Sequence, residues 1–291
     1  MNWPKELKIK PDYPLKDKTT FKIGGRALFF SEPKSRQELS LLVKAAQSKK
    51  LPVFVLGAGS NLLVTDKAVK GLVIKLNSPC FKEIKEENGF VRVGSAVMLA
   101  NLIKFFRERS WKGLEFLVGI PGTVGGALAM NAGCWGASFS DFVKEVEIID
   151  QNGKIKHLKK SEINFGYRKS GLTKCVILSC LLKFEEGKRS RIEENTVKFL
   201  ASRRKTQDLT YPNAGCIFKN PKDNSAGKLI DLCGLKGRNI GDAFISERHA
   251  NFILNKGKAS SSDVIKLMQL IKKQVKNKFK LNLQPEIKIW K

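Results

Sequence analysis

A chain of 291 residues, 42% of them hydrophobic, can bury a large core and make two or three domains, which excludes a disordered or fibrous protein. Its 54 Lys and Arg against 27 Asp and Glu leave a net charge of +27, spread along the whole chain without an aromatic-basic RNA motif. This reads as a Lys-rich solvated surface whose field favours anionic small molecules such as pyrophosphates, not as a nucleic-acid site.

The first residues, MNWPKELKIKPDYPL, have no apolar core of a signal peptide. Residues 36–50 carry Leu39, Leu42, Val43 and Ala46 at helical spacing, which predicts a helix. A strand follows in LPVFVLG, then the loop GAGSNLL. Residues 72–76 and 90–95 read as strands and 97–109 as a helix. VKEVEIID, a turn at QNGK and VILSCLLKFE then read as strands with a hairpin signal between apolar-alternating runs. Composition shifts at 185–193, and a helix starts at 192–205, ending in Arg203, Arg204 and Lys205. A last helix spans 263–279, capped by Asp263, with Val264, Leu267, Met268, Ile271 and Val275 on one face. NLQPEIKIW closes the chain, strand-like around Glu286. Boundaries near 70 and 190 divide the chain into 1–70, 71–190 and 191–291. The fold class expected is α+β.

The most informative stretch is GLEFLVGIPGTVGGALAMNAGCWG, where no charged residue falls between Glu115 and Asp141. Its glycines, Pro121 and Asn131 argue against a membrane span, because a backbone broken so often would leave amides unsatisfied in lipid. Such a segment suits a place where backbone lies flat against a large ligand. VLGAGSNLLV is a shorter stretch of the same kind, and the pair suggests a dinucleotide gripped by backbone amides. GAGSNL lacks the third glycine of a Rossmann fingerprint, so on its own it is equally an ordinary tight turn. FGYRKSGL places Arg168 after an aromatic pair, able to meet a carboxylate bidentately. NAGCIFKNP packs Asn213, Gly215, Cys216, Lys219 and Asn220 together, and Glu286 is a single carboxylate in an apolar run. His249 reads equally as structural or functional. Six cysteines without a CxxC pair, with only two histidines, point away from a metal site and toward reduced, cytoplasmic thiols.

The blocks TTFKIGG, LGAGSNLLV, GLEFLVGIPGTVGGALAMNAG, FGYRKS, AGCIFKNP and HANFILN, in this order, resemble the UDP-N-acetylenolpyruvoylglucosamine reductase (MurB) family over nearly the whole chain. The length resembles the shorter, type II form. The resemblance implies a two-part FAD-binding region of the PCMH/VAO type and a smaller α+β substrate-binding domain at 191–291. It implies a cytoplasmic, monomeric oxidoreductase of peptidoglycan synthesis, using FAD and NADPH to reduce a UDP-sugar enol ether. No nucleic acid, membrane or metal is expected. Cofactor contacts carry over to Gly57, Ala58, Gly59, Ser60, Asn61 and Leu62. They carry over also to Gly119, Ile120, Pro121, Gly122, Thr123, Gly125, Gly126, Asn131, Ala132 and Gly133. The resemblance gives catalytic roles to Arg168 (stabilising enolate charge), Cys216 (the proton donor, often Ser in relatives) and Glu286, and substrate contacts to Lys219 and Asn220. The Arg203–Lys205 cluster is expected near the diphosphate. KTQDLTYP departs from the proline-rich segment the resemblance leads one to expect before Cys216. A flavin oxidase on another small substrate, and a basic nucleic-acid-binding protein, are the alternatives.

Overall fold

The structure, a computed structural model, describes Trp3, Pro4 and residues 6–291. It divides into two compact units. The first comprises Met1–Pro11, Phe29–Ala58 and Gly71–Arg203, the second Asp12–Leu28, Gly59–Lys70 and Arg204–Lys291.

In the first unit, helix α1 (Arg36–Ser48) begins where the Ser35 hydroxyl accepts the Glu38 amide, and it buries Leu39, Leu42, Val43 and Ala46. The strand Val53–Leu56 pairs in parallel with Val69–Lys75. A five-stranded antiparallel sheet runs in the order Ile155–Lys159, Val143–Ile149, Val176–Leu182, Phe90–Gly94, Ile84–Glu87. Val176–Leu182 is buried at every position, as a central strand covered on both faces must be. The QNGK turn joins Val143–Ile149 to Ile155–Lys159, so VILSCLLKFE lies along the other edge of Val143–Ile149 and is not the hairpin arm. Helix α2 (Leu99–Glu108) buries Leu99, Leu102, Ile103 and Phe106 in the same core as Val91, Val93, Val146 and Leu182.

The glycine-rich stretch is not loop throughout. Val124–Met130 forms a short helix, α3, because Thr123 caps it through its hydroxyl and Asn131 ends it in the left-handed region at φ 42°. Helix α4 (Arg189–Thr206) buries only Ile192 and Thr196 and carries the chain toward the second unit.

In the second unit, helix α5 (Ala226–Leu232) and helix α6 (Ser261–Phe279) share a core with the sheet Asn213–Cys216, Phe252–Asn255, Ala243–Ile245, Asn239–Ile240. The five residues expected along one face of α6 are all buried. Its cap is Ser260; Asp263 is the reciprocal partner, returning a carboxylate to the Ser260 amide at 2.9 Å. The final strand is Lys288–Trp290, parallel to Leu62–Val64. Glu286 lies before it, in a segment tied to the chain at Phe218 by an isolated bridge through Pro285. The bridge is held by the neighbours of the proline, Glu286 N–H to Ile217 O and Lys219 N–H to Gln284 O, so it asks nothing of the N–H that proline lacks. No helix among the described residues is long and apolar enough to cross a membrane.

Candidate functional site

In the first unit, two distant small-residue loops meet. A Cβ placed on Gly57 would come within 2.8 Å of Thr123 Oγ1. One on Gly125 would come within 2.9 Å of the Ser95 Cβ. Glycine at these positions therefore lets backbone approach where any side chain would intrude. Among the described residues, the amides of Gly57, Ala58, Gly119, Gly122 and Thr123 make no hydrogen bond within the protein. Others in the expected set are already spent. Gly125 N–H donates to Ser95 O at 2.8 Å, Gly126 to Thr123 Oγ1, Asn131 to Leu128 O and Ala132 to Ala127 O. The Asn131 side chain is also committed, accepting from the Ser140 amide and donating to Gly166 O, both at 3.0 Å. Its part in these bonds is to hold the loops together.

That second bond reaches the FGYR segment. Gly166 and Lys169 exchange backbone hydrogen bonds across a tight turn with Tyr167 and Arg168 at its tip. Arg168 adopts φ 50°, a conformation rare for a long side chain. Ser170 Oγ donates to Ala129 O at 2.9 Å, so both ends of the turn are fastened to the end of α3. The half-buried Arg168 guanidinium lies 5.1 Å from the Tyr167 ring centre.

Beside these loops, Arg203 Nη2 donates to Phe116 O at 3.0 Å and approaches Cys134 Sγ at 2.9 Å. Its guanidinium lies 4.8 Å from the Trp135 ring, which stacks on Phe199. Burial pushes the Cys134 thiol up, against the opposing pull of the Arg203 and Arg168 charges. Arg203 thus packs against the glycine-rich stretch, whereas Arg204 and Lys205 belong to the second unit.

In the second unit, Cys216 ends the strand Asn213–Cys216 after Gly215, which turns the chain at φ 72° and breaks the register against Phe252–Asn255. The segment of Glu286 runs alongside: Glu286 N–H donates to Ile217 O at 2.8 Å, and Lys219 N–H to Gln284 O at 2.9 Å. Asn61 joins them, its side chain donating to Glu286 O at 3.3 Å and its carbonyl accepting from Lys288. Cys216, Glu286 and Asn61, far apart in sequence, therefore lie on segments that run side by side. Cys216 and Glu286 are both half-buried. Gly59, with φ 69°, approaches the chain so closely that a Cβ would lie within 2.8 Å of the Thr19 Cα. Leu62 is in a strand and buried. Asn220 Oδ1 accepts the Ala226 amide at 2.9 Å, holding the start of α5, and Lys219 is half-buried beside it. His249 has a structural setting: Nδ1 accepts the Asn251 amide at 3.3 Å, and burial pushes its pKa down.

Sequence reasoning missed Asn251. It is 2% exposed, and its side chain clasps Phe218 on both sides, accepting its N–H at 2.9 Å and donating to its carbonyl at 2.8 Å. The available signal was an amide inside the apolar run HANFILN, where only a paired polar group is tolerated. Among the described residues no group of three or more His, Cys, Asp or Glu is arranged to hold a metal.

The open amides and cradling glycines of the first unit fit a phosphate-bearing dinucleotide such as FAD. Residues 27–159 match a domain family described as FAD binding domain. Residues 207–290 match the C-terminal domain of UDP-N-acetylenolpyruvoylglucosamine reductase. The chain is 41% identical to UDP-N-acetylenolpyruvoylglucosamine reductase 2 of Symbiobacterium thermophilum, over 97% of this chain and 92% of that one. It is 39% identical to the enzyme of Aquifex aeolicus over 95% and 93% of the two chains. The crystal structure of the reductase from Thermus caldophilus superposes with a TM-score of 0.83 at 34% identity, covering 98% and 99% of the chains.

Proposed function

The chain belongs to the UDP-N-acetylenolpyruvoylglucosamine reductase family, and we propose that it reduces the enolpyruvyl group of UDP-N-acetylglucosamine enolpyruvate to give UDP-N-acetylmuramate. We place the functional divisions near residues 70 and 190, the first two parts serving the cofactor and the third the substrate. The observation that carries the assignment is the pairing of the Cys216 and Glu286 segments through Phe218 and Pro285, in a chain similar along its length to named reductases.

When bound, FAD would supply hydride chemistry, with NADPH as the reductant. The protein's part is to hold the cofactor, stabilise charge and place a proton. The amides of Gly57, Ala58, Gly119, Gly122 and Thr123, which among the described residues make no bond within the protein, would donate to the cofactor. Arg168 meets the substrate carboxylate, where negative charge develops as the double bond is lost. Cys216 then delivers its proton to carbon. A thiol, with an ordinary pKa of about 8.5, is a far stronger acid than a serine hydroxyl. Glu286 orients this exchange or donates as a neutral carboxyl. Lys219 and Asn220 contact the substrate, Asn220 through the group not already holding α5. The enzyme is a cytoplasmic monomer of the shorter, type II form.

The test is an anaerobic absorbance titration. A yellow protein should bleach with NADPH and recover its bands only when the enol ether is added. A colourless protein that takes up no FAD rejects the assignment; bleaching without recovery leaves a flavoenzyme acting on something else.

A further inference from the structure

The segment before Cys216, where the sequence departs from the expected proline-rich pattern, is built around Asp208. Both of its carboxylate oxygens are used. Oδ2 accepts the Ser246 hydroxyl at 2.7 Å. Oδ1 accepts the Thr210 amide at 3.2 Å and the Thr210 hydroxyl at 2.5 Å. Ser246, fully buried, has no alternative use for its proton. Its oxygen already receives the amides of Arg248 and His249, both at 3.1 Å, so the proton points to Asp208. Arg248 in turn donates to the carbonyls of Arg204 and Lys205, closing the last turn of α4. Three hydrogen bonds, from Ser246 and Thr210, thus fix the Asp208 carboxylate.

The path continues toward Cys216. Asn213 Nδ2 donates to Asp208 O at 3.3 Å and to Tyr211 O at 2.9 Å, and its Oδ1 accepts the Gly215 amide at 3.0 Å. The Asn213 carbonyl accepts the Thr20 hydroxyl at 2.7 Å. Gly215 is the residue whose left-handed φ aims Cys216.

We infer that Asp208 is a positioning residue for the proton-donating thiol: its carboxylate, held by Ser246 and Thr210, fixes the local backbone, and the Asp208 main-chain carbonyl held in this way accepts from Asn213, which sets the Gly215–Cys216 turn. The inference rests on the assignment of Cys216 as donor. It also requires two acceptor oxygens at position 208. Asparagine supplies one oxygen, and its amide would face a hydroxyl or amide that already donates.

The experiment uses the FAD-loaded enzyme and three variants, Asp208→Ala, Asp208→Asn and Cys216→Ala. Three quantities are measured: flavin reduction by NADPH, flavin reoxidation by the enol ether, and iodoacetamide labelling of the Cys216 peptide by mass spectrometry. In Asp208→Ala the reoxidation rate should fall by about tenfold or more and the labelling rate should change, with flavin reduction unaltered. Asp208→Asn should lie between that variant and wild type in both readouts. It also serves as the folded comparator if the alanine variant is unstable. Unchanged labelling of Cys216 in both Asp208 variants overturns the inference, as does equal slowing of the two half-reactions. If Cys216→Ala itself turns over normally, the donor assignment fails, and the labelling data alone decide whether Asp208 sets the turn.

Discussion

Arg168 is held at φ 50° by a turn fastened to α3 at both ends. Such backbone costs a non-glycine residue on the order of 1 kcal/mol, and it persists only where the surroundings impose it. Replacing Arg168 by Gly should leave stability unchanged or raise it by up to about 1 kcal/mol while abolishing turnover. Chemical denaturation read beside steady-state kinetics separates the two effects, and a fall in both would mean that the guanidinium holds the fold. Cys216 gives a second residue-scale test. Cys216→Ser should keep substantial activity, whereas Cys216→Ala should lose on the order of 100-fold or more of turnover, as expected for a positioned proton donor. Near-normal turnover of the alanine variant would remove Cys216 from the mechanism. Both residues were legible as candidates in the sequence. Asp208 was not, because its importance lies in which groups surround it and not in any local pattern, while Asn251 left only the signal of an amide inside the apolar run HANFILN.

At the scale of elements, the short helix α3 contains two glycines that propensity alone would condemn. Gly125→Ala in a free helix would gain about 1 kcal/mol. Here the added methyl meets Ser95 Cβ at 2.9 Å and its carbonyl oxygen at 3.1 Å. Ser95 is buried in fixed backbone, so the cost of overpacking, about 1–3 kcal/mol, outweighs the helix gain. The variant should therefore be less stable in urea titrations and should purify with less bound flavin, read from its visible absorbance; a stabilised, fully yellow variant would show that α3 has room to move. The long helices were read correctly because α1, α2 and α6 each bury a stripe at helical spacing. The residues around Val124–Met130 read as loop because glycine and small side chains carry almost no periodic signal, and the Thr123 cap was masked among them. Glu286 was placed inside a strand for the opposite reason: apolar alternation was visible, while the change of partner from the Phe218 segment to Leu62–Val64 is a tertiary feature.

For the whole molecule, charge and pH give two further expectations. Asp263 is held below the usual carboxylate range by the Ser260 amide and hydroxyl, Glu87 by its hydrogen bond to Arg92, and Asp150 by its hydrogen bond to Lys156. Each binds protons more weakly when folded, so its contribution is complete above the ordinary carboxylate pKa and is lost as pH falls through the folded value. His249, pushed down by burial, adds a loss that begins lower than about pH 6.5, because only the unfolded chain is readily protonated there. The thermal midpoint should fall gently below about pH 6.5 and steeply below about pH 4; a midpoint that rose on acidification would contradict the sign of these shifts. The net charge of +27 should speed capture of anionic ligands. The on-rate of NADPH, followed by stopped-flow absorbance, should drop several-fold as salt rises from about 50 to 500 mM. A flat profile would leave the lysines a role in solubility only.

By itself the sequence determined the α+β class, the amphipathic helices and the small-residue stretches, and its motif blocks pointed to the reductase family. These are properties of local period, composition and motif, and they do not depend on what lies across the molecule. The tertiary structure decided which backbone amides remain open and which are spent on Ser95, Thr123, Leu128 and Ala127. It also decided that the segments of Cys216 and Glu286 run side by side, and that the backbone at 208, fixed by its carboxylate, is tied through Asn213 to the cysteine turn. Hydrogen bonds between residues far apart in the chain satisfy groups whose partners no local window contains, so only the folded chain can reveal them.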